Sequence, residues 1–190
     1  MKTLYENETI TGDDFSDIDE IANVEFIDCT IEKVNLFEKK LTECIFTNCT
    51  FSNVNMAMSK LPGTQMNRAR FENCKIMGID FSQCRNFLFE VSFYSCILDF
   101  SSFENMKMQN TEFIDCSMKG VDLVGTNLEK SKFMNCNLED AIFIRTNLKE
   151  ADLSTAYNFI IPPTQNFLKK AVFSESNLSG LLHEFDIRLV

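Results

Sequence analysis

Residues 111–155 read TEFIDCSMKGVDLVGTNLEKSKFMNCNLEDAIFIRTNLKEADLST. A large apolar residue returns at every fifth position: Phe113, Met118, Leu123, Leu128, Phe133, Leu138, Phe143, Leu148 and Leu153. Two residues before each stands a smaller one: Thr111, Cys116, Val121, Thr126, Ser131, Cys136, Ala141, Thr146 and Ala151. The residue between the two is mostly polar, as at Asp122, Asn127, Lys132, Asn137, Asn147 and Asp152. A step of five suits neither regular element. On an α-helix it rotates the side chain by about 500°, so the apolar residues wander around the cylinder. On a continuous strand an odd step changes face each time and splits the core. A short extended piece that turns every five residues does bury the pattern, because positions two apart share a face. Such a coil cannot cover its own edge, so coils must stack into a solenoid.

The same count runs back to Phe26 through Ile31, Leu36, Leu41, Phe46, Phe51, Met56, Leu61, Met66, Phe71, Ile76 and Phe81. After one seven-residue step it resumes at Leu88 and passes through Phe93, Leu98, Phe103 and Met108. All 26 centres are Phe, Ile, Leu or Met, types that fill 59 of 190 positions, so chance would supply only about eight. Twenty-two of the 26 partners two residues earlier are Cys, Val, Ala, Ser or Thr; the exceptions are Lys39, Ile79, Asn86 and Met106. A buried charge at Lys39 would be costly, which predicts a locally opened coil at 36–41.

The units CTFSN (49–53), VDLVG (121–125), TNLEK (126–130), CNLED (136–140), TNLKE (146–150) and ADLST (151–155) resemble the A(D/N)LXX motif of pentapeptide repeat proteins. That resemblance implies an all-β fold, a right-handed quadrilateral β-helix with four units, about 20 residues, in each coil. At about 4.8 Å per coil the 26 units predict roughly six and a half coils and a rod about 30 Å long. They also predict Phe93, Phe113 and Phe133 stacked over one another, with Cys96, Cys116 and Cys136 on a neighbouring face. The expected organisation is an acidic N-terminal cap (1–23), the repeat β-helix (24–153) and a C-terminal capping and dimerisation module (154–190).

Composition narrows the chemistry. The 190 residues include one histidine, His183, and no Gly-rich phosphate loop. Catalytic triads and multi-histidine metal sites would all compete for that one imidazole, and nucleotide-binding folds lose their main signal. No catalytic group, cofactor site or metal site is expected, and the protein reads as a non-enzyme. The formal net charge is −10, which argues against direct nucleic-acid binding and against an anionic membrane surface. Residues 1–32 carry nine of those negative charges, whereas 33–85 are net positive by four. With no apolar leader and no run of 18 apolar residues, the chain reads as cytoplasmic.

All eight cysteines fall in the small column: Cys29, Cys44, Cys49, Cys74, Cys84, Cys96, Cys116 and Cys136. No CxxC pair occurs, so they read as small buried apolar groups in a reducing compartment. The seven-residue step at 84–88 inserts two residues. Phe87 and Phe89 cannot both join the core columns, which predicts a kink or a projecting contact. Leu61-Pro62-Gly63 keeps the register and reads as a tight corner. Beyond Leu153, Ser174 opens a capped helix over about 175–185 with Leu178, Leu181, Leu182 and Phe185 on one face. Residues 186–190 then read as a last strand carrying Ile187 and Leu189. Together these apolar residues form an expected dimer interface.

The tail and the acidity resemble the quinolone-resistance (Qnr) type of the family, whose members are dimeric rods held to imitate duplex DNA. The resemblance implies a homodimer that binds type II topoisomerase (DNA gyrase). Outward acids would then stand in for phosphates: Asp99, Glu104, Glu112, Asp115, Asp122, Glu129, Glu139, Asp140, Glu150 and Asp152. The alternative is a scaffold for an unrelated protein partner, which exposed apolar residues around Phe87 and Phe89 would favour.

Overall fold

The computed structural model describes residues 2–15, 17–185 and 187–188. Parallel strands of two to four residues stack coil upon coil and leave four faces. The first face is a nine-stranded sheet, from Thr9–Ile10 through Thr30–Glu32, Thr50–Ser52, Ala69–Glu72, Val91–Tyr94, Glu112–Ile114, Lys132–Met134 and Asp152–Leu153 to Val172–Phe173. On the second, single bridges link Asn35, Asn55, Lys75, Ile97, Ser117, Asn137 and Tyr157 in turn. The third carries Glu20–Ala22, Lys40–Thr42 and Lys60, then Asp80, Ser102, Asp122 and Ile142. The fourth carries Leu4–Glu6, Glu25–Ile27, Ile45–Thr47 and Gln65–Asn67, then Lys107, Asn127, Asn147 and Phe167.

The period of five explains each coil. Every centre from Phe26 to Leu153 is buried except Leu88. The predicted ring stack is present and extends further. Phe51, Phe71, Phe93, Phe113 and Phe133 lie with successive centroids 4.6, 5.1, 5.3 and 4.9 Å apart and planes within 15° of parallel. Small-column residues do more than fill space. Thr64 Oγ1 donates to Leu41 O at 2.7 Å, Thr126 to Phe103 O at 2.7 Å and Cys136 Sγ to Phe113 O at 3.2 Å, each in the coil before. That is why this column prefers Ser, Thr and Cys: the group is small, and its one donor meets a carbonyl of the preceding coil. The last residue of most units turns the corner in the left-handed region, as at Asn48 (φ 54), Asn73 (φ 53), Asp115 (φ 54) and Asn135 (φ 54). Asn and Asp tolerate that region best among residues with a Cβ, hence their recurrence there.

The ladders run past both ends of the countable repeat. Tyr5 pairs with Phe26 and Ile10 with Ile31, an offset of 21 residues, whereas Ile21 pairs with Leu41 at 20. One extra residue between Phe15 and Ile21 therefore hides the first coil from a strict count of five. Phe15 closes the end of the stack, its ring edge-on to Tyr5 and Phe26, and Lys2 sits 5.2 Å above the Tyr5 ring. The seven first-face strands of the countable units span about 29 Å, close to the expected 30 Å, and one further strand at each end makes the rod about 38 Å long. Around Lys39 the coil does not open. Lys40 N reaches Asp19 O and Lys60 N reaches Lys39 O, while Lys39 Nζ swings toward the N-terminal coil and donates to Ile18 O at 2.6 Å. A long side chain lets the ammonium leave the core that its Cα faces.

The insertion at 84–88 also resolves differently from the count. Leu88 is not a core centre; it is 52% exposed at φ 57, and Asn86 is exposed too. Phe89 is buried in its place, 6% exposed, with its ring 6.2 Å from that of Phe81. Phe89, Val91 and Phe93 alternate inward, so the two-apart rule applied backward from Val91 would have found it. At the other end Ser174 caps a turn over Glu175–Asn177, accepting from Ser176 N. The α-helix is confined to Ser179–Leu182, followed by a 3₁₀ turn at His183–Phe185. Gly180 lets this helix close on the coil: a Cβ there would fall 2.1 Å from Phe159 O. Of the expected last strand, Ile187 and Arg188 lie in no strand, and Asp186, Leu189 and Val190 are outside the described residues.

Candidate partner-binding surface

The acidic residues are built onto the rod at two kinds of position. Glu112, Asp122 and Asp152 point outward from the middle of a unit, whereas the others stand at corners. The coil geometry spreads them around the circumference. Glu112 and Asp152 are on the first face, Asp115 at the corner after it, and Asp99, Glu139 and Asp140 at the corner between the second and third faces. Asp122 is on the third face, Glu104 at the next corner, and Glu129 and Glu150 at the corner that returns to the first. No single face gathers them.

Most also have local partners. Twenty-residue spacing brings opposite charges together on successive coils. Lys132 Nζ meets Glu112 at 2.8 Å, Lys119 meets Glu139 at 2.8 Å and Lys149 meets Glu129 at 2.7 Å, with Glu150 3.8 Å from Lys149. Lys132, with the Tyr94 hydroxyl 2.6 Å away, holds the Glu112 carboxyl below its ordinary range, and Lys149 does the same for Glu129. Asp99 accepts from Ser117 Oγ and Lys119 N, and Asp115 from Asn135 Nδ2. Asp122 and Asp152 each accept from the backbone two residues on, and Glu104 accepts from Asn105 Nδ2.

The loop 85–88 is the second feature. Phe87 projects from the fourth face, 75% exposed, while Phe89 is part of the core and no contact. A groove of about 340 Å³ runs between Phe87, Leu88 and Lys107, and one of about 610 Å³ between Leu88, Arg68, Tyr94 and Gln109. The third is the C-terminal end. Leu178, Phe185 and Ile187 are exposed, Leu182 is half-buried, and Leu181 packs on the core. All eight cysteines are free and buried. Among the described residues no group of His, Cys, Asp and Glu is arranged to hold a metal ion, and no helix is long and apolar enough to cross a membrane.

Two descriptions of the repeat, "Pentapeptide repeats (8 copies)" and "Pentapeptide repeat region", match residues 44–83 and 86–156, more than half of the chain. The chain belongs to the pentapeptide repeat family. Among solved structures it is similar to QnrB1, a plasmid-mediated fluoroquinolone resistance protein. A trypsin-treated QnrB1 variant superposes with a TM-score of 0.65 at 14% identity, covering 98% of this chain and 97% of that one. Full-length QnrB1 gives 0.62 at 14% identity over 97% and 100%. No curated protein sequence matches the chain. At this identity the likeness establishes the β-helix fold, and nothing of a partner.

Proposed function

We propose that this pentapeptide repeat protein is a Qnr-like, cytoplasmic binding protein, without enzymatic activity, that engages type II topoisomerase (DNA gyrase) as a homodimer. The observation that carries the reading is the match to a fluoroquinolone resistance protein along nearly the whole of both chains. Dimensions support it. Two rods of about 38 Å joined through their C-terminal ends would be comparable to about 22 base pairs at 3.4 Å each. The exposed residues Leu178, Phe185 and Ile187 supply the apolar area for that joint.

The contacting acids are Asp99, Glu104, Glu112, Asp115, Asp122, Glu139, Asp140 and Asp152, approached by a surface that binds phosphates through Lys and Arg. Asp140, exposed beside the Lys119–Glu139 pair, is the most available of them. One observation favours the other reading, a scaffold for an unrelated protein. The acids circle the rod instead of forming two phosphate-like rows, and Phe87 and Leu88 offer an apolar contact that DNA does not.

A gyrase supercoiling assay with purified protein, with and without a fluoroquinolone, separates the two. Rescue of the drugged enzyme, or inhibition of the free enzyme, is expected. Weakening by the double substitution Glu139→Lys and Asp140→Lys would place the contact on that corner. A folded dimer without effect up to tens of micromolar would overturn the topoisomerase reading in favour of the scaffold.

A further inference from the structure

On an acidic rod, one corner near the C-terminal end is basic. Coil stacking places Lys130, Glu150 and Lys170 in one column and Glu129, Lys149 and Lys169 in the column beside it, tied by Lys130 N to Lys149 O and Glu150 N to Lys169 O. Both carboxylates lie against Lys149, at 2.7 and 3.8 Å, so Lys130, Lys169 and Lys170 project without either of them as a close partner. Across the fourth face Arg145 stands exposed on the opposite corner. Between these bases lies Phe167, 63% exposed, on an outward position that holds Asn147 and Asn127 in the two coils before it. Phe167, Asn147, Lys149 and Lys169 line an open cleft of about 410 Å³.

Neither the acidic surface nor the apolar C-terminal residues of the proposed dimer use this patch. An exposed aromatic ring flanked by five bases, of which Lys149 makes the close ion pairs with acids among the described residues, is shaped for an anionic ligand with an apolar group. We infer that the corner around Phe167 docks a short acidic segment of a partner protein, an apolar side chain resting on the ring and in the cleft. Its flanking carboxylates would face Lys169, Lys170, Lys130 and Arg145. The occupant is a short peptide because residues 86–152, the coils adjoining this corner, are net negative by five, from eleven acids and six bases. A longer polyanion running onto those coils would be repelled there, whereas a segment of a few residues meets only the basic corner.

The test titrates the full-length protein against a fluorescein-labelled synthetic peptide that alternates Glu-Asp pairs with Phe and Leu. The comparison probes are the same peptide with Lys at the acidic positions and a single-stranded oligonucleotide of similar charge. Micromolar binding of the acidic peptide alone is expected, weakening severalfold between about 50 and about 300 mM salt. Lys169→Glu with Lys170→Glu should weaken it at least about tenfold, and Phe167→Ser comparably. Arg188→Glu, on the same end but outside the patch, should leave it unchanged. Equal binding of the two peptides, or tighter binding of the oligonucleotide, overturns the inference. So does salt-sensitive self-association in sedimentation that the Lys169 and Lys170 reversals abolish, since the occupant would then be the acidic N-terminal end of a second copy. Variants that keep their circular dichroism and still bind the acidic peptide at full strength would also sink it.

Discussion

The side chain of Asn86 stands where a peptide group is missing beneath Lys107. In neighbouring coils the amide at this position bonds to the backbone below, as Asn127 N does to Met106 O and Asn147 N to Thr126 O, each at 2.9 Å. Lys107 N instead bonds to Asn86 Oδ1 at 2.8 Å, and Asn86 Nδ2 donates to Asn105 O at 3.0 Å. A carboxamide has the donor and acceptor of a peptide group, so the ladder on the fourth face is bridged while Phe87 and Leu88 loop outward. Backbone pairing resumes at Glu90, whose amide reaches Met66 O at 2.9 Å.

Replacing Asn86 with Ala should therefore cost about 0.5–1.5 kcal/mol, because water at this exposed site takes over only part of the lost bonding. The local readout is hydrogen exchange at the Lys107 amide, which should quicken in Asn86→Ala. Asn86→Asp keeps the acceptor and should preserve that protection. Equal exchange in all three proteins would show that the bridge contributes nothing.

The repeat made the architecture readable because every centre and small partner obeys one spacing, and burial enforces it from Phe26 to Phe81 and from Phe93 to Leu153. Where the chain departs from the spacing, legibility stops for local reasons. One inserted residue before Ile21 conceals the coil of Tyr5 and Ile10. Two inserted residues put Leu88 in phase but Phe89 in the core. Lys39 looked like a break because its Cα faces inward, and only a contact 21 residues away, with Ile18, shows how its charge escapes. The acidic surface was legible as composition and not as a site. Which carboxylates are held by lysines on the next coil depends on stacking offset, and the basic corner around Phe167 emerges only when Lys130, Lys149, Lys169 and Lys170 are wound onto adjacent columns.

The ring stack on the first face sets the cohesion of the rod. Phe113 lies between Phe93 and Phe133, fully buried. Phe113→Ala removes two stacked contacts and opens a cavity, so urea unfolding should show a loss of about 3–5 kcal/mol, against about 1 kcal/mol for Phe113→Leu. A loss under about 1 kcal/mol for the alanine variant would mean that the coils relax to fill the gap.

Phe100 and Gly120 form a side chain-to-backbone contact along one corner. A Cβ on Gly120 would come within 2.8 Å of the Phe100 ring, and Gly120 sits at φ 60. Gly120→Ala combines that clash with left-handed strain of about 1–2 kcal/mol. The clash should vanish in a Phe100→Ala background and the strain should not. Thermal unfolding of the four proteins in the double-mutant cycle should thus give a non-zero coupling, with a residual penalty in the double variant. Full recovery there would put the whole effect in the ring.

Burial pushes the Cys49 thiol up to about 11 from an ordinary value near 9, and Cys84 higher still. At Cys96 and Cys116 the neighbouring thiol, Cys74 or Cys136, is the larger cause and burial adds to it, while Cys96 in turn draws Cys74 down. Thiolate is the reactive form, so a thiol reagent near pH 8 should label the native protein slowly and all eight cysteines quickly in denaturant. The same shift makes stability depend on alkaline pH. Below pH 9 the Cys49 thiol is protonated in both states. Between pH 9 and about 11 the unfolded chain gives up that proton and the native one keeps it. The native state then binds more protons, and stability falls as pH rises. Urea midpoints measured across that window should decline, with a shallower slope in Cys49→Ala. An identical slope in the two proteins would assign the alkaline loss to other groups.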